Sequence, residues 1–209
     1  MDFNFDFGVI EHLFPEYLTK QQKGRLIEAL AQFKDATDTG KWNSKIYSAF
    51  YTPHHYDYFL QGDLLREIRF PEYDKQDKSF KRTFTDALIL SNTCDLDATN
   101  IRKVGKQVVL APLVEVGHFS EYSMGLDKII GGMKSQTTSN ILYLPPNSNN
   151  GKEYFCHLDK AFWFPTEELN AYQKDIDQTR IASLDYFGYY LFLVKLSYHF
   201  CRLPEERQR

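Results

Sequence analysis

The chain from residue 86 to residue 97 passes from an aliphatic run to a dense polar cluster without a break. Residues 87–90 are all aliphatic, which predicts a short strand that is buried on both faces of a sheet. Residues 91–97 then carry two hydroxyls, an amide, a thiol and two carboxylates. Because folds often present reactive side chains where strands end, this polar cluster predicts a functional site.

In a second interpretation the same cluster is a turn with a purely structural role. Ser91, Asn92, Thr93 and Asp95 have side chains of the kinds that bond nearby backbone N–H groups in Asx and ST turns. Such a turn would end the strand and satisfy local donors without any ligand. The sequence leaves both interpretations open.

Three kinds of chemistry are compatible with the cluster and its neighbours. The first is RNA cleavage without a metal, which needs a cation beside the scissile phosphate and an acid or a base. The catalytic candidates for this reaction are Arg82, Asp95 and His118. The hypothesis requires no cofactor.

The second kind of chemistry is nucleophilic attack by a thiolate at Cys94. His118 or His157 would serve as the base. Asp95 or Asp97 would orient that histidine. Nothing in the spacing brings either histidine to Cys94, and an adjacent carboxylate raises the pKa of a thiol. A cysteine that follows a core strand is more often a buried small residue.

The third possibility is binding without catalysis, in which basic side chains hold phosphates and nearby aromatic side chains stack bases. The candidates lie in the polar cluster and in the charged segments that flank it: Asn92, Thr93, Cys94, Lys81, Arg82, Arg102, Lys103 and Lys106. The alternative for the basic residues is a solvated charged surface. RNA or another nucleic acid is the predicted ligand.

The pair His54 and His55 is the other feature that could suggest a metal. Adjacent side chains of an extended segment point to opposite faces, so one ion would rarely bind both. No cysteine or further histidine is near the pair in the sequence. We therefore predict a loop or core-edge role for it, and neither a metal site nor a cofactor in this chain.

The composition is that of a globular protein with a packed core, since 43% of the 209 residues are hydrophobic and 25% are charged. The formal net charge is -3, so any contact with nucleic acid has to come from a local basic patch. Three widely spaced cysteines argue for a reducing compartment. The chain shows no secretion signal and no membrane-length apolar stretch, so a soluble, cytoplasmic protein is expected.

The segments before the polar cluster predict helix first and then strand. A capping box and helical spacing predict a helix over residues 19–36. Residues 65–70 alternate as a strand that Pro71 ends, and residues 72–85 form a charged connection to the buried run.

The segments after the cluster predict short strands, one small helix and a long apolar helix. The strands cover residues 107–116, with a bulge or bend at Pro112, and residues 140–144, 154–158 and 161–164, while the small helix covers residues 126–133. Short antiparallel strands with one inserted helix predict an α+β fold built on a small barrel. Asp185 can cap the final helix, which is apolar on most sides and should be buried by the barrel, the N-terminal helix or a second subunit.

Three short motifs resemble the PemK/MazF-like toxins: Gly62-Asp63 before a strand, the segment ALILSN at residues 87–92, and the segment VVLAPL at residues 108–113. The resemblance covers roughly residues 61–184. It implies an SH3-like β-barrel domain over 61–184, between an N-terminal extension (1–60) and a C-terminal helix and tail (185–209). It further implies a homodimer, metal-independent endoribonuclease activity, an antitoxin as protein partner, and a bacterial toxin or phage-conflict setting.

Two positions depart from the pattern of that family. The toxins place an arginine that acts on the scissile phosphate where this chain has Thr85-Asp86, and Arg82 is the nearest arginine. They also place a hydroxyl residue where this chain has Val114-Glu115. These departures leave an alternative open, which is a non-catalytic module that binds nucleic acid or a protein partner after loss of the toxin active site.

Overall fold

The structure is a computed structural model that describes residues 50–53, 56–96, 107–120, 126–136 and 138–200, together with residues 19, 20, 23, 24, 27 and 47. Within this part of the chain the fold is mixed α+β, as predicted. The strands are β1 (Tyr51–Thr52), β2 (Leu64–Asp74), β3 (Ser79–Ile89), β4 (Gln107–Glu115), β5 (Ile141–Leu144), β6 (Tyr154–His157), β7 (Phe162–Pro165) and β8 (Arg180–Leu184). The helices are α1 (Thr93–Leu96), α2 (Gly117–Ser120), α3 (Asp127–Lys134), α4 (Thr166–Gln173), α5 (Ile176–Thr179) and α6 (Tyr186–Phe200).

All eight strands join one antiparallel sheet in the order β1-β8-β2-β3-β4-β6-β5, and β7 pairs with β4 beside β6. The predicted antiparallel sheet is therefore confirmed. Strands β1 and β5 are the two ends of this order, and the described residues contain no pairing that joins them into a closed barrel.

The C-terminal end of β3 is buried on both faces, as its aliphatic run predicts. Ala87, Leu88 and Ile89 have no exposed surface, and Leu90 is 6% exposed. Leu88 and Leu90 belong to one core cluster, whereas Ala87 and Ile89 belong to a second cluster on the opposite face. A strand with two buried faces reads as a continuous apolar run, which is why the sequence identifies it.

A helix covers each face of the sheet. Helix α6 contributes Leu191 and Phe192 to the first core cluster, and α4 contributes Leu169 to the second. Tyr47 and Phe50, which lie on the N-terminal side of the domain boundary predicted at residue 60, also pack into the first cluster. The sheet is thus the middle layer of the fold, with helices packed on both of its faces.

Strands β2 and β3 form one long hairpin, and this corrects the prediction for residues 71–85. Pro71 does not end β2 but lies opposite Arg82, and the pairing continues to Asp74 opposite Ser79. Proline is tolerated there because, among the described residues, β8 pairs with β2 only at Leu64 and Leu65. The missing N–H of Pro71 therefore has no second strand to bond. We call residues 69–84 the hairpin arm, because β3 pairs with β4 only from residue 86 onward.

Strand β4 pairs on both of its edges. On one edge it pairs with β3, with Pro112 opposite Ala87 and no shift of register. On the other edge it pairs with β7 up to Leu110 and with β6 from Leu113. The bulge or bend predicted at Pro112 is therefore not seen in the pairing with β3. Pro112 instead lies where the other edge of β4 changes its partner from β7 to β6, so its missing N–H breaks no bond.

The helices predicted after residue 125 are confirmed as α3 and α6, and α6 follows Asp185 as expected. Helices α4 and α5 and strand β8 were not predicted. Of the predicted helix over 19–36, residues 20, 23, 24 and 27 are helical, and the remainder lies outside the described residues except for Thr19. No helix in the described part of the chain has the length and apolar character needed to cross a membrane.

Candidate functional site

The polar cluster after β3 forms a turn that its own side chains stabilise. The Asn92 side-chain oxygen accepts the backbone N–H of Cys94 at 2.9 Å, and the Asp95 N–H donates to the Asn92 carbonyl at 2.9 Å. The Ser91 hydroxyl accepts the backbone N–H of Val109 at 2.8 Å. These bonds begin the one-turn helix α1 and attach it to β4.

Thr93 connects this turn to the loop before β2. Its hydroxyl accepts the backbone N–H of Gln61 at 3.0 Å, and the Gln61 side chain donates to the Leu90 carbonyl at 2.8 Å. The Tyr189 hydroxyl of α6 donates to the Gln61 side-chain oxygen at 2.8 Å. Asn92 therefore makes the local bond that the structural interpretation predicts, whereas the Ser91 and Thr93 hydroxyls accept backbone N–H groups that are distant in the chain. The side chains of Asn92 and Cys94 remain exposed.

The three catalytic candidates are divided between the two ends of the sheet, with Asp95 at one end and Arg82 and His118 toward the other. Strand β3 ends at Ile89, and Asp95 follows that end. Arg82 lies on β3 seven residues before Ile89, which is about 23 Å along an extended strand. His118 is exposed in α2 and follows β4 at the end opposite to Asp95, because β4 runs antiparallel to β3. Arg82 and Asp95 are therefore not placed around one phosphate.

The groups proposed for thiolate chemistry lie in different surroundings. Cys94 is exposed in α1. His157 is half-buried, with its Nδ1 atom 3.7 Å from the Asp159 carboxylate, and burial lowers the pKa of its imidazole. The nearby Cys156 is fully buried, and burial raises the pKa of that thiol. His157 therefore lies beside Asp159, and Asp97 lies outside the described residues.

The basic binding candidates separate into two groups. Arg102, Lys103 and Lys106 lie outside the described residues, as do His54 and His55. The Lys81 ammonium is 2.5 Å from the Asp74 carboxylate and 2.6 Å from the Asp77 carboxylate. These hydrogen bonds raise the pKa of Lys81, and the bond from Lys81 lowers the pKa of Asp74. Lys81 is therefore paired with two carboxylates of the hairpin arm.

Arg82 belongs to a different surface, which the sequence analysis missed. Directly opposed residues of an antiparallel pair share a face, and the register places Tyr73 opposite Phe80, Pro71 opposite Arg82 and Arg69 opposite Phe84. These six residues form one face of the hairpin arm, which we call the aromatic–arginine face. Its rings are largely exposed: Tyr73 is 50%, Phe80 74% and Phe84 66% accessible.

The two faces of the arm differ in charge. The arm carries five basic and three acidic residues, a local formal charge of +2 in a chain of net charge -3. Glu72 and Asp74 share the opposite face with Lys81, and Asp77 lies in the turn. The aromatic–arginine face therefore contains arginine but no carboxylate of the two strands. The alternation of Phe80, Arg82 and Phe84 was the sequence signal for this face.

Asp86 stands where the PemK/MazF-like toxins, which short motifs of this chain resemble, place an arginine. Its carboxylate is bonded within the fold. Asp86 accepts the backbone N–H of Glu67 at 3.1 Å and lies beside the buried Tyr154. Burial, with Asp86 as a second cause, raises the pKa of Tyr154 to about 12. Lys152 donates to Glu115 at 2.8 Å. Asp86 and Glu115 each have a bonded partner within the fold, so we assign both carboxylates a structural role.

No grouping of three or more histidine, cysteine, aspartate or glutamate side chains suited to a metal ion occurs in the described part of the chain. No family model, no curated protein and no solved structure matches this chain.

Proposed function

We propose that this protein binds RNA through the aromatic–arginine face of its hairpin arm, as a PemK/MazF-like barrel protein without the toxin's catalytic site. The observation that supports the proposal most directly is the row of exposed rings and arginines on one face of a two-stranded ribbon. Arginine binds phosphate through paired, charged hydrogen bonds, and an exposed ring gives a base a surface on which to stack.

Charge supports a nucleic acid as the ligand. A protein of net charge -3 repels a polyanion weakly as a whole, so binding needs a region where the sign is reversed. The arm is such a region, and on the aromatic–arginine face Arg82 is exposed. Arg69, also exposed, forms only a long 3.4 Å contact with Glu168. An exposed pair of this kind is weak and can exchange for a phosphate.

The separation of Arg82 from Asp95 argues against cleavage by this pair and supports binding. Cleavage without a metal requires a cation and an acid or base at one phosphate. Arg82 lies on the arm and Asp95 beyond the far end of β3. The family's arginine position carries Asp86, which is bonded to the backbone of Glu67.

The proposal includes the finer fold and the setting that the family resemblance implies. The proposed SH3-like barrel would need the sheet to curl, and the change of partner along one edge of β4, from β7 to β6, is the feature compatible with it. A cytoplasmic location would give the protein access to RNA. Self-association through α6 is part of the same proposal, supported by exposed Tyr186, Val194 and Phe200 on that helix, and light scattering of the full chain tests it.

The proposal is tested by fluorescence anisotropy with a labelled, unstructured RNA and three proteins: the wild type, Arg82→Ala and Lys81→Ala. The two variants change the net charge equally and alter neighbouring residues on opposite faces of one strand. We expect Arg82→Ala to weaken binding by about tenfold and to reduce the salt slope by about one, with Lys81→Ala within about twofold of wild type. Gel electrophoresis of the same RNA should show it intact. Equal losses in both variants, absence of binding, or cleavage would overturn the proposal.

A further inference from the structure

We infer that the ligand of the aromatic–arginine face is single-stranded RNA, whose unpaired bases stack on the rings of the arm while Arg82 holds the intervening backbone. This inference rests on the proposed RNA binding and specifies the class of RNA. It follows from three features of the arm, which are the spacing of the rings, the packing of the opposite face and the need of an exposed ring for an unpaired base.

The spacing alternates ring, guanidinium and ring along β3. Phe80 and Phe84 are four residues apart, which is about 13 Å in a strand, and Arg82 lies midway between them. At a stacked rise of ~3.4 Å per nucleotide, this distance spans roughly four nucleotides. Across the ribbon, Tyr73 lies with its ring centroid 5.3 Å from that of Phe80, so the tip presents two adjoining rings.

The opposite face of the arm accounts for its attachment to the body of the protein. Phe70, on that face, packs edge-on against Phe162 of β7 with ring centroids 5.0 Å apart. Ile68, two residues earlier, is fully buried in the second core cluster. The inward apolar contacts of the arm are thus made by the opposite face. The three rings of the aromatic–arginine face are not needed for those contacts.

A double helix is a poor match for this face. The bases of a duplex are already stacked on one another, so a ring can reach a base face only where the strands are open or unpaired. The major groove of A-form RNA is too narrow for side chains to read. The major groove of B-form DNA admits a two-stranded ribbon, but its readout uses hydrogen bonds to base edges. Phenylalanine and proline, which occupy half of this face, form none.

Anisotropy titrations with the full-length protein test the inference. The probes are a labelled 12-nucleotide unstructured RNA, the same RNA annealed to its complement, and a DNA duplex of the same sequence. We expect the single strand to bind at least about tenfold more tightly than either duplex. In a length series of the single strand, affinity should fall steeply below about four nucleotides.

Variants of the rings separate stacking from charge. Phe80→Leu with Phe84→Leu keeps an apolar surface but removes both π faces, and Phe80→Tyr with Phe84→Tyr restores them. We expect the leucine pair to weaken single-strand binding by about tenfold or more without changing the salt slope, and the tyrosine pair to remain within about twofold of wild type. Both positions are exposed, so matching thermal melts should confirm that each variant is folded.

The outcomes distinguish this inference from the proposed function. Equal affinity for single strand and duplex, or full binding by the leucine pair, would overturn base stacking while RNA binding that depends on Arg82 still stood. Preference for duplex DNA would overturn the inference and assign the arm to a groove. Absence of binding to every probe by the wild-type protein would overturn the inference together with the proposed function.

Discussion

Arg180 and Asp63 form an ion pair in the interior, between the start of β8 and the start of β2. The Arg180 Nε atom lies 3.0 Å from the Asp63 carboxylate, and both side chains are buried. The same guanidinium donates to the Tyr56 carbonyl at 2.8 Å and to the Tyr58 carbonyl. Burial raises the pKa of Asp63 to about 6, and Arg180 opposes that rise. One side chain thus holds the 56–63 loop against the sheet.

Arg180→Ala should therefore be strongly destabilising. It leaves the Asp63 carboxylate buried without its cation and two carbonyls without a donor, so we expect the free energy of unfolding to fall by about 3–5 kcal/mol. The matched control is Arg69→Ala, which removes the exposed pair with Glu168 and should cost less than about 1 kcal/mol. Urea unfolding at pH 7.5 measures both values. Similar losses in the two variants would show that Arg180 is not an anchor.

Lys195 is a second buried cation, and its ammonium is bonded to backbone carbonyls rather than to a carboxylate. Its ammonium, 6% exposed on α6, donates to the carbonyls of Gln136 and Thr138 at 2.6 Å each. Burial lowers the pKa of Lys195 from 10.5 to about 8. The residue connects the final helix to the turn after α3, at the cost of burying a charge below that pH.

This burial predicts a rise in stability at alkaline pH. Below pH 8 Lys195 is charged in both the folded and the unfolded chain, so the cost of burying the charge is present in full. Between pH 8 and 10.5 the folded chain releases the proton first, so the free energy of unfolding rises, by about 1–3 kcal/mol. Lys195→Met should lack this component. The difference between the two pH profiles from urea unfolding measures it, and parallel profiles would contradict the buried charge.

At the scale of the elements, α6 depends on a glycine for its contact with β1. A side chain at Gly188 would overlap the carbonyl oxygen of Phe50, which already accepts the N–H of Asp185 at 2.9 Å. We expect Gly188→Ala to lower the free energy of unfolding by about 1–3 kcal/mol through overpacking. The matched control is Gly131→Ala in α3.

Gly131 is also helical, but the space where its Cβ would lie is open. There the alanine should raise the free energy of unfolding by up to about 1 kcal/mol, because alanine favours helix over glycine. Thermal melts of the two variants should move in opposite directions. A gain in stability for both would show that α6 can move away from Phe50.

An element was predictable from the sequence where a single local pattern of residues determines its structure. Residues 87–90, at the end of β3, are aliphatic because both faces are buried, and the structural alternative for the polar cluster correctly describes the local bond of Asn92. The Thr93 hydroxyl instead accepts the distant Gln61 N–H, which no local pattern signals. Strand β8 was not predicted because Arg180 gives it a polar start. Its partner Asp63 is 117 positions earlier, and no local pattern signals a pair so distant in the chain.

The hairpin arm was missed for a different physical reason. Both of its faces are largely open to solvent, so charged residues replace the apolar alternation that marks a half-buried strand. Pro71 has the appearance of a strand end, yet a ribbon with no second neighbour tolerates it. Among the binding candidates, Arg82 was identified from its charge, but the distinction from Lys81 depends on the register, which places the two side chains on opposite faces.

In the whole molecule, the proposed ligand surface and the folded core are separate. The core clusters are formed by the sheet centre with α6 on one face and α4 on the other, whereas residues 71–82 contribute to neither cluster. Beyond residue 84 the strand β3 returns to the sheet and pairs with β4. Stability and binding should therefore respond to different residues, which a single replacement can test.

Replacing residues 71–82 by Asn-Gly joins Phe70 to Thr83, which already lie opposite each other in the register. Asn-Gly favours the tight turn that fits a two-residue hairpin, and the Phe70 contact with Phe162 is kept. We expect the shortened protein to unfold within about 1 kcal/mol of the wild-type free energy, because no core residue is removed. It should lose RNA binding by at least about tenfold, since Tyr73, Phe80 and Arg82 are absent.

Urea unfolding and anisotropy on the same preparation measure the two quantities independently. A shortened protein that is folded and still binds RNA would place the ligand elsewhere, with the exposed Asn92 and Cys94 of the polar turn as the next surface to change. A shortened protein that does not fold would show that the arm stabilises the sheet. Arg82→Ala, which leaves the hairpin intact, then carries the test of binding alone. The pair of measurements thus assigns the arm either to recognition or to the scaffold.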